Sequence, residues 1–510
     1  MKQKLVEYLK VRSLSRIRSV PLEEPLITKI KMIFARRNKS PLNKKIKGLI
    51  VFVVIAVMLI STFAFLPRES QGTLNTPKSS DNPTATISSQ GTINHTSTST
   101  PSSLSQVARF VNQIADSAKQ IVAPDPTPHP PGVVTSAQTI NSTVWLQVAA
   151  NAWAFYQPTV GVDVNTGLPY SAGTDYKVFT DWDLGAYIQA IIDAQKIGLI
   201  DTNGTWGSYD RLDRVLTFLE TRPLNNATGY PFWFYDAVTG GNDSSIDSEQ
   251  THADGADTGR LFVALNSLKN YNSANFAARV DNYVYNKLGN RSDYSVLVPN
   301  IKIDASSNNL YAYYIDSGFA SFWPQQIGSI PSTILSNVLN SPNIMVNGVS
   351  LPNAAIINEP LLSAVFELNN SDSSRLKSLM SRVYLAHEAY YNETGIFLAP
   401  SEGGNPSGAW LYEWVVAPNG QPWQVSLFSD QTVFYNFQDF SPFAYSKVAF
   451  SFLSLYNTTF ARNEVVWLEA ALPVPANGYC DGVDANGNIA HPVNIGQTLI
   501  LDAARYALNK

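Results

Sequence analysis

The chain has 510 residues, of which 15% are charged and 11% are aromatic, and its net charge is -4. This length exceeds what one hydrophobic core usually organises, so we expect more than one region. Because basic residues are concentrated before residue 48, the rest of the chain is acidic, which excludes nucleic-acid binding by the main domain. The single cysteine, Cys480, excludes an intrachain disulfide.

A membrane anchor is predicted near the N-terminus. Residues 1–47 form a basic tail, and residues 48–66 are a continuous apolar run without any charge. About 20 such residues cross a bilayer as a helix, and basic residues favour the cytoplasmic side. The leader is too long and the run too extended for a cleaved signal peptide. We therefore expect a single-pass protein of the cell membrane, with a cytoplasmic N-terminus and an extracytoplasmic main domain.

Residues 67–140 have the composition of a stalk. The tract is rich in Ser, Thr, Pro and Asn, and such a composition cannot bury a core. A short helix is predicted near residues 104–122, either as an isolated amphipathic segment or as a coil that pairs chains. Glycosylation sequons outside the apolar run favour a glycosylated exterior surface. They begin at Asn94, Asn141, Asn203, Asn226, Asn242, Asn290, Asn369, Asn392 and Asn457.

Residues 141–510 are predicted to be mainly α-helical. Segments with apolar residues at intervals of three and four recur through this region, and no strands alternate with them. Their number suits helical hairpins around one core, that is, an (α/α)6 barrel or toroid with minor β elements. Residues 410–423 read WLYEWVVAPNGQPW, in which an Asn-Gly turn after a strand-like run predicts a β-hairpin. In such a barrel the loops gather at one end, where a pocket forms.

Two carboxylates flank Trp182 where the first strong helical pattern of this domain begins. Thr180 and Asp183 have the spacing of a capping box, which would give Asp183 a purely structural role. Fixed at a helix start, Asp183 is also well placed for chemistry at a barrel mouth. We expect function from Asp183, and a surface or capping role from Asp181.

A second acidic cluster surrounds the start of another helical pattern. It contains His252, Asp254, Asp257 and Arg260. Asp257 fits a helix cap, and the spacing of the cluster matches no zinc motif, so no metal and no cofactor are expected. Residues 481–488, DGVDANGN, resemble a calcium loop only loosely and lack a closing Glu, which favours a plain turn.

Glu402 lies in a Ser-Glu-Gly-Gly loop, where no helix end requires a carboxylate. The structural alternative is a salt bridge or a turn contact. The sequence has no GxSxG, Walker or Rossmann motif, which argues against a serine triad, phosphoryl transfer and dinucleotide chemistry. Glycoside cleavage needs one protonated and one ionised carboxyl group, and loops rich in acids and aromatic rings suit a carbohydrate partner.

Several segments occur together in the order of a known family: TDWDLGAYIQAIIDAQKIGLI, DTGRLFVAL, NEPLLSAVFEL, HEAYYNETGIFLAPSE, LYEWVVAPNGQPW, SKVAFSFLSLY and the closing GYCDGVDANGNIAHPVNIGQTLILDAARYAL. Over most of the chain from about residue 144 to 508, the sequence resembles the domain of unknown function 3131 family. It is similar to a glucoamylase-like group, and this similarity implies an (α/α)6 barrel of the six-hairpin glycosidase type.

The resemblance also implies functional residues. Its motifs fall on Trp182-Asp183, on 257–260, on 359–362, on Thr394-Gly395 and on Ser401-Glu402, and the chain departs from the family at Asn358, where a Glu is usual. We therefore predict a surface-anchored glycoside hydrolase or related enzyme that acts on a polysaccharide or cell-envelope glycan. Asp183 is expected to be the base or water-positioning group and Glu402 the general acid, with Glu359 able to replace either. The predicted sugar-binding residues are Trp182, Asp257, Arg260, Trp323, Tyr412 and Trp423. Two alternatives remain, a non-catalytic glycan-binding or cell-envelope protein and a polysaccharide lyase.

Overall fold

A computed structural model describes residues 132–173, 176–225, 229–243, 255–288, 305–404, 410–428, 430–473 and 476–510. The basic tail, the apolar run 48–66 and the helix expected near 104–122 lie outside these ranges. Within them, no helix has the length and the apolar character needed to cross a bilayer. The membrane anchor therefore stays a prediction.

Twelve helices of ten or more residues occur in the described ranges. Six of them form an outer layer: α1 (Ser142–Trp153), α3 (Ser208–Thr221), α5 (Ser273–Asn282), α7 (Ile330–Asn340), α9 (Ser373–Thr394) and α11 (Thr459–Ala471). The alternate six form an inner layer: α2 (Asp181–Lys196), α4 (Gly255–Tyr271), α6 (Leu310–Phe322), α8 (Asn358–Glu367), α10 (Ser446–Tyr456) and α12 (Asn494–Leu508).

The inner helices form a closed ring. Each packs against the next along the chain, from α2 through α4, α6, α8 and α10 to α12, and α12 packs back on α2. The outer helices cover the ring, with α3 on α2, α5 on α4, α7 on α6, α9 on α8, α11 on α10, and α1 on α12. This arrangement is an (α/α)6 barrel, which confirms the predicted mainly helical fold.

Side-chain patterns explain which helices lie inside. The inner helix α2 is buried on nearly all sides from Leu184 to Ala194, as expected for a helix that is apolar all round. The outer helix α3 buries one stripe, with Leu212, Val215 and Leu219 at helical spacing. Each outer helix therefore has one face for the ring and one for solvent.

Two glycines allow the inner helices α4 and α6 to approach closely. A Cβ atom on Gly318 would lie 2.0 Å from the carbonyl oxygen of Gly259. A Cβ atom on Gly259 would lie 2.4 Å from a side-chain carbon of Ile315. Larger residues at either position would push the two helices apart.

The starts of the inner helices meet at one end of the barrel. Asn494 Nδ2, at the start of α12, donates to the carbonyl oxygen of Asp183, at the start of α2, over 3.0 Å. Near the opposite ends of the same helices, Arg505 Nε lies 2.6 Å from Asp193 Oδ1. The two helices therefore run parallel, so the segments that precede α2 and α12 lie at the same end.

Short strands occupy some of these connecting segments. Two-stranded sheets pair β1 (Val178–Phe179) with β2 (Tyr235–Asp236), and β3 (Asn343–Val346) with β4 (Val349–Pro352). A four-stranded antiparallel sheet joins β5 (Glu402–Gly404), β6 (Trp410–Val416), β7 (Pro422–Leu427) and β8 (Asp430–Asn436). A three-stranded sheet has β10 (Gly482–Asp484) at its centre, between β9 (Phe443–Tyr445) and β11 (Ile489–Ala490).

The predicted hairpin is the β6–β7 pair of the four-stranded sheet. The strands are antiparallel, with Trp414 opposite Gln424 and Val416 opposite Pro422. Between them lies the Asn-Gly turn, in which Gly420 has a φ of 78°. Glycine adopts this left-handed conformation without the steric cost that a Cβ atom brings. The prediction from the Asn-Gly pair is confirmed.

A one-turn helix, Val133–Ser136, comes before α1, in residues that the sequence assigned to the stalk. Its backbone amides bind a side chain of the outer helix α11: Val134 N donates to Glu469 Oε1 over 3.0 Å, and Thr135 N donates to Oε2 over 2.8 Å. The packed part of the chain therefore includes residues before 141.

Candidate active site

The register of the four-stranded sheet positions Glu402. Glu402 on β5 stands opposite Tyr412 on β6, so the two side chains share one face of the sheet. The next residue, Glu413, points to the other face and is fully buried. Both of its carboxylate oxygens accept from Phe443 N over 3.1 Å. Because side chains alternate along a strand, Glu402 faces the barrel mouth, whereas Glu413 faces the interior and binds the backbone of β9.

Glu402 interacts with residues from two inner helices. Its Oε2 accepts a hydrogen bond from the hydroxyl of Tyr311, in the first turn of α6. Its backbone carbonyl accepts from Lys447 Nζ, at the start of α10, over 2.6 Å. Only 7% of Glu402 is exposed to solvent. The side chain is therefore held in one place at the junction of the sheet and the barrel.

A second carboxyl group adjoins Glu402. Glu359, in the first turn of α8, is fully buried, and its Oε2 lies 2.7 Å from Lys447 Nζ. Burial raises the pKa of Glu402 well above its usual range, and the adjacent charge and hydrogen bond of Glu359 raise it further. Lys447 and Tyr311 offset only part of this rise. Burial and Glu359 therefore favour the protonated form of Glu402.

Asp183 combines the two roles that its sequence context suggested. It completes a capping box with Thr180 at the start of α2, because its Oδ2 accepts from Thr180 N over 3.1 Å. The same oxygen accepts from Ser171 Oγ over 2.5 Å. Asp183 is half-buried, and this burial raises its pKa to about 6, with a smaller contribution from the charge of Glu359. The capping prediction is confirmed, and the carboxylate also interacts electrostatically with Glu359.

Asp181 does not lie at the surface, which corrects the role expected from the sequence. It is buried, and Arg222 binds both of its oxygens, at 2.5 Å and 3.1 Å. Arg222 also donates to the hydroxyl of Tyr283. The pair connects α2 to the end of α3, so Asp181 stabilises the packing of the barrel. A helix-start pattern cannot reveal this, because the partner lies 41 residues away.

Several aromatic rings lie near Glu402. The half-buried ring of Trp182 lies 6.1 Å from that of Tyr311 and 6.0 Å from that of Tyr314. Tyr311 lies 6.2 Å from Tyr412 in an edge-on arrangement. Two predicted sugar-binding residues, Trp182 and Tyr412, are thus on either side of the tyrosine that contacts Glu402.

Other residues predicted to bind sugar lie in the protein interior. Arg260 is fully buried and makes a two-fold ion pair with Glu367, with N–O distances of 2.5 Å and 2.9 Å. Trp323 is 2% exposed, and its ring lies 5.7 Å from Phe262 and 6.3 Å from Phe319. The guanidinium of Arg260 and the ring of Trp323 therefore stabilise the interior of the barrel.

Trp423 and Asp257 are placed differently. Trp423 donates from Nε1 to Asn347 Oδ1 over 2.7 Å, and its ring lies 5.2 Å from that of His387. It therefore joins the β7 strand to the β3–β4 turn and to the outer helix α9. Asp257 is half-buried in the first turn of α4, which is the helix-start position that the sequence indicated.

Asn358 has a structural role at the position where the family usually has Glu. Its side chain is fully buried, and Nδ2 donates to the carbonyl oxygen of Pro400 over 2.7 Å. The same nitrogen lies 3.2 Å from His387 Nε2. Burial lowers the pKa of His387 to about 4, so the ring is neutral. Asn358 thus fixes the loop that leads into β5 and Glu402.

Sequence reasoning missed Lys447 and Tyr311. Lys447 lies in the segment SKVAFSFLSLY, and a lone Lys at the start of such an apolar helix was a signal that it is buried and paired. Tyr311 lies in a segment rich in tyrosine, where no local feature distinguishes it. The importance of both residues comes from their contacts with Glu402, which lies 91 residues after Tyr311 and 45 residues before Lys447.

Metal ligation has little structural basis among the residues described. No group of three or more His, Cys, Asp or Glu side chains in the described ranges is arranged to hold a metal ion. His252 and Asp254 lie outside these ranges. Residues 481–488 form β10 and the turn to β11, where Asp484 Oδ1 accepts from the backbone amides of Asn486 and Asn488.

Comparison with known proteins places this barrel in a family. Residues 147–509 match the family model described as "Protein of unknown function (DUF3131)". The chain belongs to this family. The resemblance inferred from the segments around Asp183, Glu359 and Glu402 is thereby confirmed. No curated protein matches the chain.

Solved structures share the fold of this family member. A candidate glucoamylase from Bacteroides caccae has a TM-score of 0.53 at 14% identity, over 72% of this chain and 93% of the other. An endo-β-1,2-glucanase from Chitinophaga pinensis, in complex with sophorotriose and glucose, has a TM-score of 0.53 at 11% identity, with the same coverage. An endo-β-1,2-glucanase from Talaromyces funiculosus with bound sophorose has a TM-score of 0.50 at 12% identity, over 74% and 87%.

At such low identity, these likenesses establish the fold and not the activity. The family member has the mainly helical architecture of (α/α)6 glycosidases. Its site must therefore be interpreted from its own residues.

Proposed function

We propose that the protein is a glycoside hydrolase in which Glu402 is the general acid and Asp183 is the general base. The observation that carries the proposal is the difference between the two carboxyl groups. Glu402 is buried beside Glu359, and its raised pKa favours the protonated form. Asp183 is half-buried, with a pKa of about 6, and is ionised at neutral pH. Glycoside cleavage requires one carboxyl group in each state.

The proposed reaction follows from these states. Glu402 gives its proton to the glycosidic oxygen as the bond to the anomeric carbon breaks. Asp183 accepts a proton from the water that attacks that carbon. The hydroxyl of Tyr311 orients the carboxyl group of Glu402, and Trp182 and Tyr412 form walls for the sugar ring.

We assign Glu359 to positioning and not to proton transfer. Its carboxylate is occupied by Lys447 at 2.7 Å, and the side chain is fully buried. Its interaction with Glu402 raises the pKa of Glu402. Lys447 compensates the charge of Glu359 and also holds the backbone of Glu402.

The structural neighbours support glucans as the first substrates to test. Two of them are β-1,2-glucanases and one is a candidate glucoamylase. Incubation of the intact chain with linear β-1,2-glucan and with α-glucans is expected to release reducing ends, and Asp183→Asn is expected to lower the rate by at least about 100-fold. Exposed Asp201, in the loop after α2, supplies the control Asp201→Asn, which should keep the wild-type rate.

Three outcomes would contradict this assignment. Unchanged turnover in Asp183→Asn would remove Asp183 from the mechanism. Glycan binding without turnover would indicate a non-catalytic binding protein. Products that absorb in the ultraviolet would indicate a lyase, because elimination leaves a double bond and hydrolysis does not.

The pH dependence of kcat/KM should report both groups. Asp183 acts as the ionised base, so activity should fall as the pH drops through about 6. Glu402 acts as the protonated acid, and its raised pKa should keep the activity high at neutral pH, with the alkaline limb well above the usual range of a carboxyl group. A profile of kcat/KM against pH checks this. An optimum between about pH 3 and 5, where both groups would have ordinary values, would contradict it.

A further inference from the structure

A row of aromatic rings leads away from Glu402. Tyr311, which contacts Glu402, lies 6.2 Å from Tyr412, and Tyr412 lies 6.4 Å from Phe428. Phe428 lies 5.9 Å from Trp233. The planes of Tyr412 and Phe428 differ by 26°, and those of Phe428 and Trp233 by 33°. The outer three rings therefore have similar orientations.

The sheet register accounts for part of this row. Tyr412 stands opposite Ser426, two residues before Phe428, so Tyr412 and Phe428 are diagonal neighbours on one face. Phe428 N donates to the carbonyl oxygen of Trp410 over 3.0 Å, which extends the pairing beyond β7. Trp233 comes from the segment before β2, far away in sequence. Two separate parts of the chain thus complete the row.

Exposure increases from Glu402 to Phe428, and Trp233, beyond Phe428, is again half-buried. Glu402 is 7% exposed, Tyr311, Tyr412 and Trp233 are half-buried, and Phe428 is 43% exposed. A single exposed apolar residue is ordinary on a protein surface. Phe428 differs because its ring continues a row that begins at the proposed general acid. The row therefore has the position of a binding path that opens to solvent.

We propose that Tyr311, Tyr412, Phe428 and Trp233 bind successive units of a linear, uncharged glycan whose cleaved bond lies at Glu402. This inference rests on the proposed function and adds the class of substrate, a chain of several sugar units. The C–H face of a pyranose is apolar, so packing on an aromatic ring is favourable, while the hydroxyl groups of the sugar stay at the rim.

The charges around the site favour a neutral chain. Two cations near the site are buried and paired: Lys447 with Glu359, and Arg222 with Asp181. Arg260 is likewise occupied by Glu367. The half-buried carboxylate of Asp183 would repel an acidic sugar. A polymer with carboxylate or sulfate groups would therefore be repelled by Asp183, and Lys447, Arg222 and Arg260 are already paired with carboxylates.

The test measures binding without turnover, in Glu402→Gln of the intact chain. Calorimetric Kd values are measured for fragments of linear β-1,2-glucan and of linear α-1,4-glucan of increasing length. Affinity is expected to rise with length, and Phe428→Ala should weaken binding of the long fragments by about ten-fold while the shortest fragments bind as before. Trp233→Ala should act on the long fragments alone. Leu385→Ala on α9, with 44% exposure, is the matched control and should change nothing.

The outcomes separate this inference from the proposed function. An unchanged length dependence in Phe428→Ala, or an equal loss at all lengths, would overturn the path. Failure of the protein to bind either glucan would overturn it as well. Length-dependent binding that Phe428→Ala reduces, together with no cleavage by the wild-type protein, would uphold the path and overturn the hydrolase. Folding of each variant is checked by its thermal unfolding.

Discussion

Glu402→Gln is expected to lower kcat/KM by about 100- to 10,000-fold, because the amide cannot donate a carboxylic proton to the leaving oxygen. The substitution keeps the size of the side chain, and the hydroxyl of Tyr311 can still hydrogen-bond its oxygen. Binding should therefore persist while turnover falls. Initial rates on the glucan that the wild-type protein cleaves give the measurement.

The leaving group identifies the role of Glu402. Aryl glycosides with acidic phenols need little protonation, so Glu402→Gln should lose much less activity on them than on a glucan. Glu464→Gln is the matched control, because Glu464 is also fully buried but lies on the outer helix α11. Equal losses on both kinds of substrate would contradict a general-acid role and favour a structural one.

Arg260→Met is expected to lower the free energy of unfolding by about 3–5 kcal/mol. Arg260 and Glu367 are both fully buried and bonded at 2.5 Å and 2.9 Å. Removal of one partner leaves a carboxyl group in the interior without its cation, and such losses are large. Tyr314 still donates to Glu367 over 2.8 Å, but a neutral donor does not replace the charge. Denaturant unfolding of the intact chain gives the change.

A surface pair provides the comparison for this loss. Arg279, at 28% side-chain exposure, binds Asp213 and Glu220 on α3, and Arg279→Met should cost only about 1 kcal/mol or less. A double variant, Arg260→Met with Glu367→Met, should recover part of the stability because both charges are removed. Small and equal losses in the two Arg variants, with weaker glycan binding only in Arg260→Met, would instead support the sugar contact predicted from the sequence.

Local sequence patterns specified the elements of this fold well. The spacing of Thr180 and Asp183 predicted the capping box at the start of α2, and the Asn419-Gly420 pair predicted the β6–β7 hairpin. Both features depend on residues that are close in sequence. Hydrophobic periodicity likewise predicted helical hairpins around one core, because the stripe on each helix is a local property.

Local patterns could not tell which polar residues meet. Asp181 and Asp183 have the same sequence context. Asp181 is nevertheless paired with Arg222 in the interior, whereas Asp183 interacts electrostatically with Glu359. Trp323 and Arg260 lie in family-like segments but pack inside the protein. Each outcome depends on a partner from another helix, and sequence spacing carries no information about such a partner.

The sequence by itself thus predicted a helical barrel and two candidate carboxyl groups, Asp183 and Glu402. Only the tertiary structure decided their chemical states. The pKa of Glu402 is raised because the closing of the ring buries it beside Glu359, on α8, and Lys447, on α10, offsets only part of this rise. A pKa depends on burial and on neighbouring charge, and both come into existence when distant segments of the chain pack together.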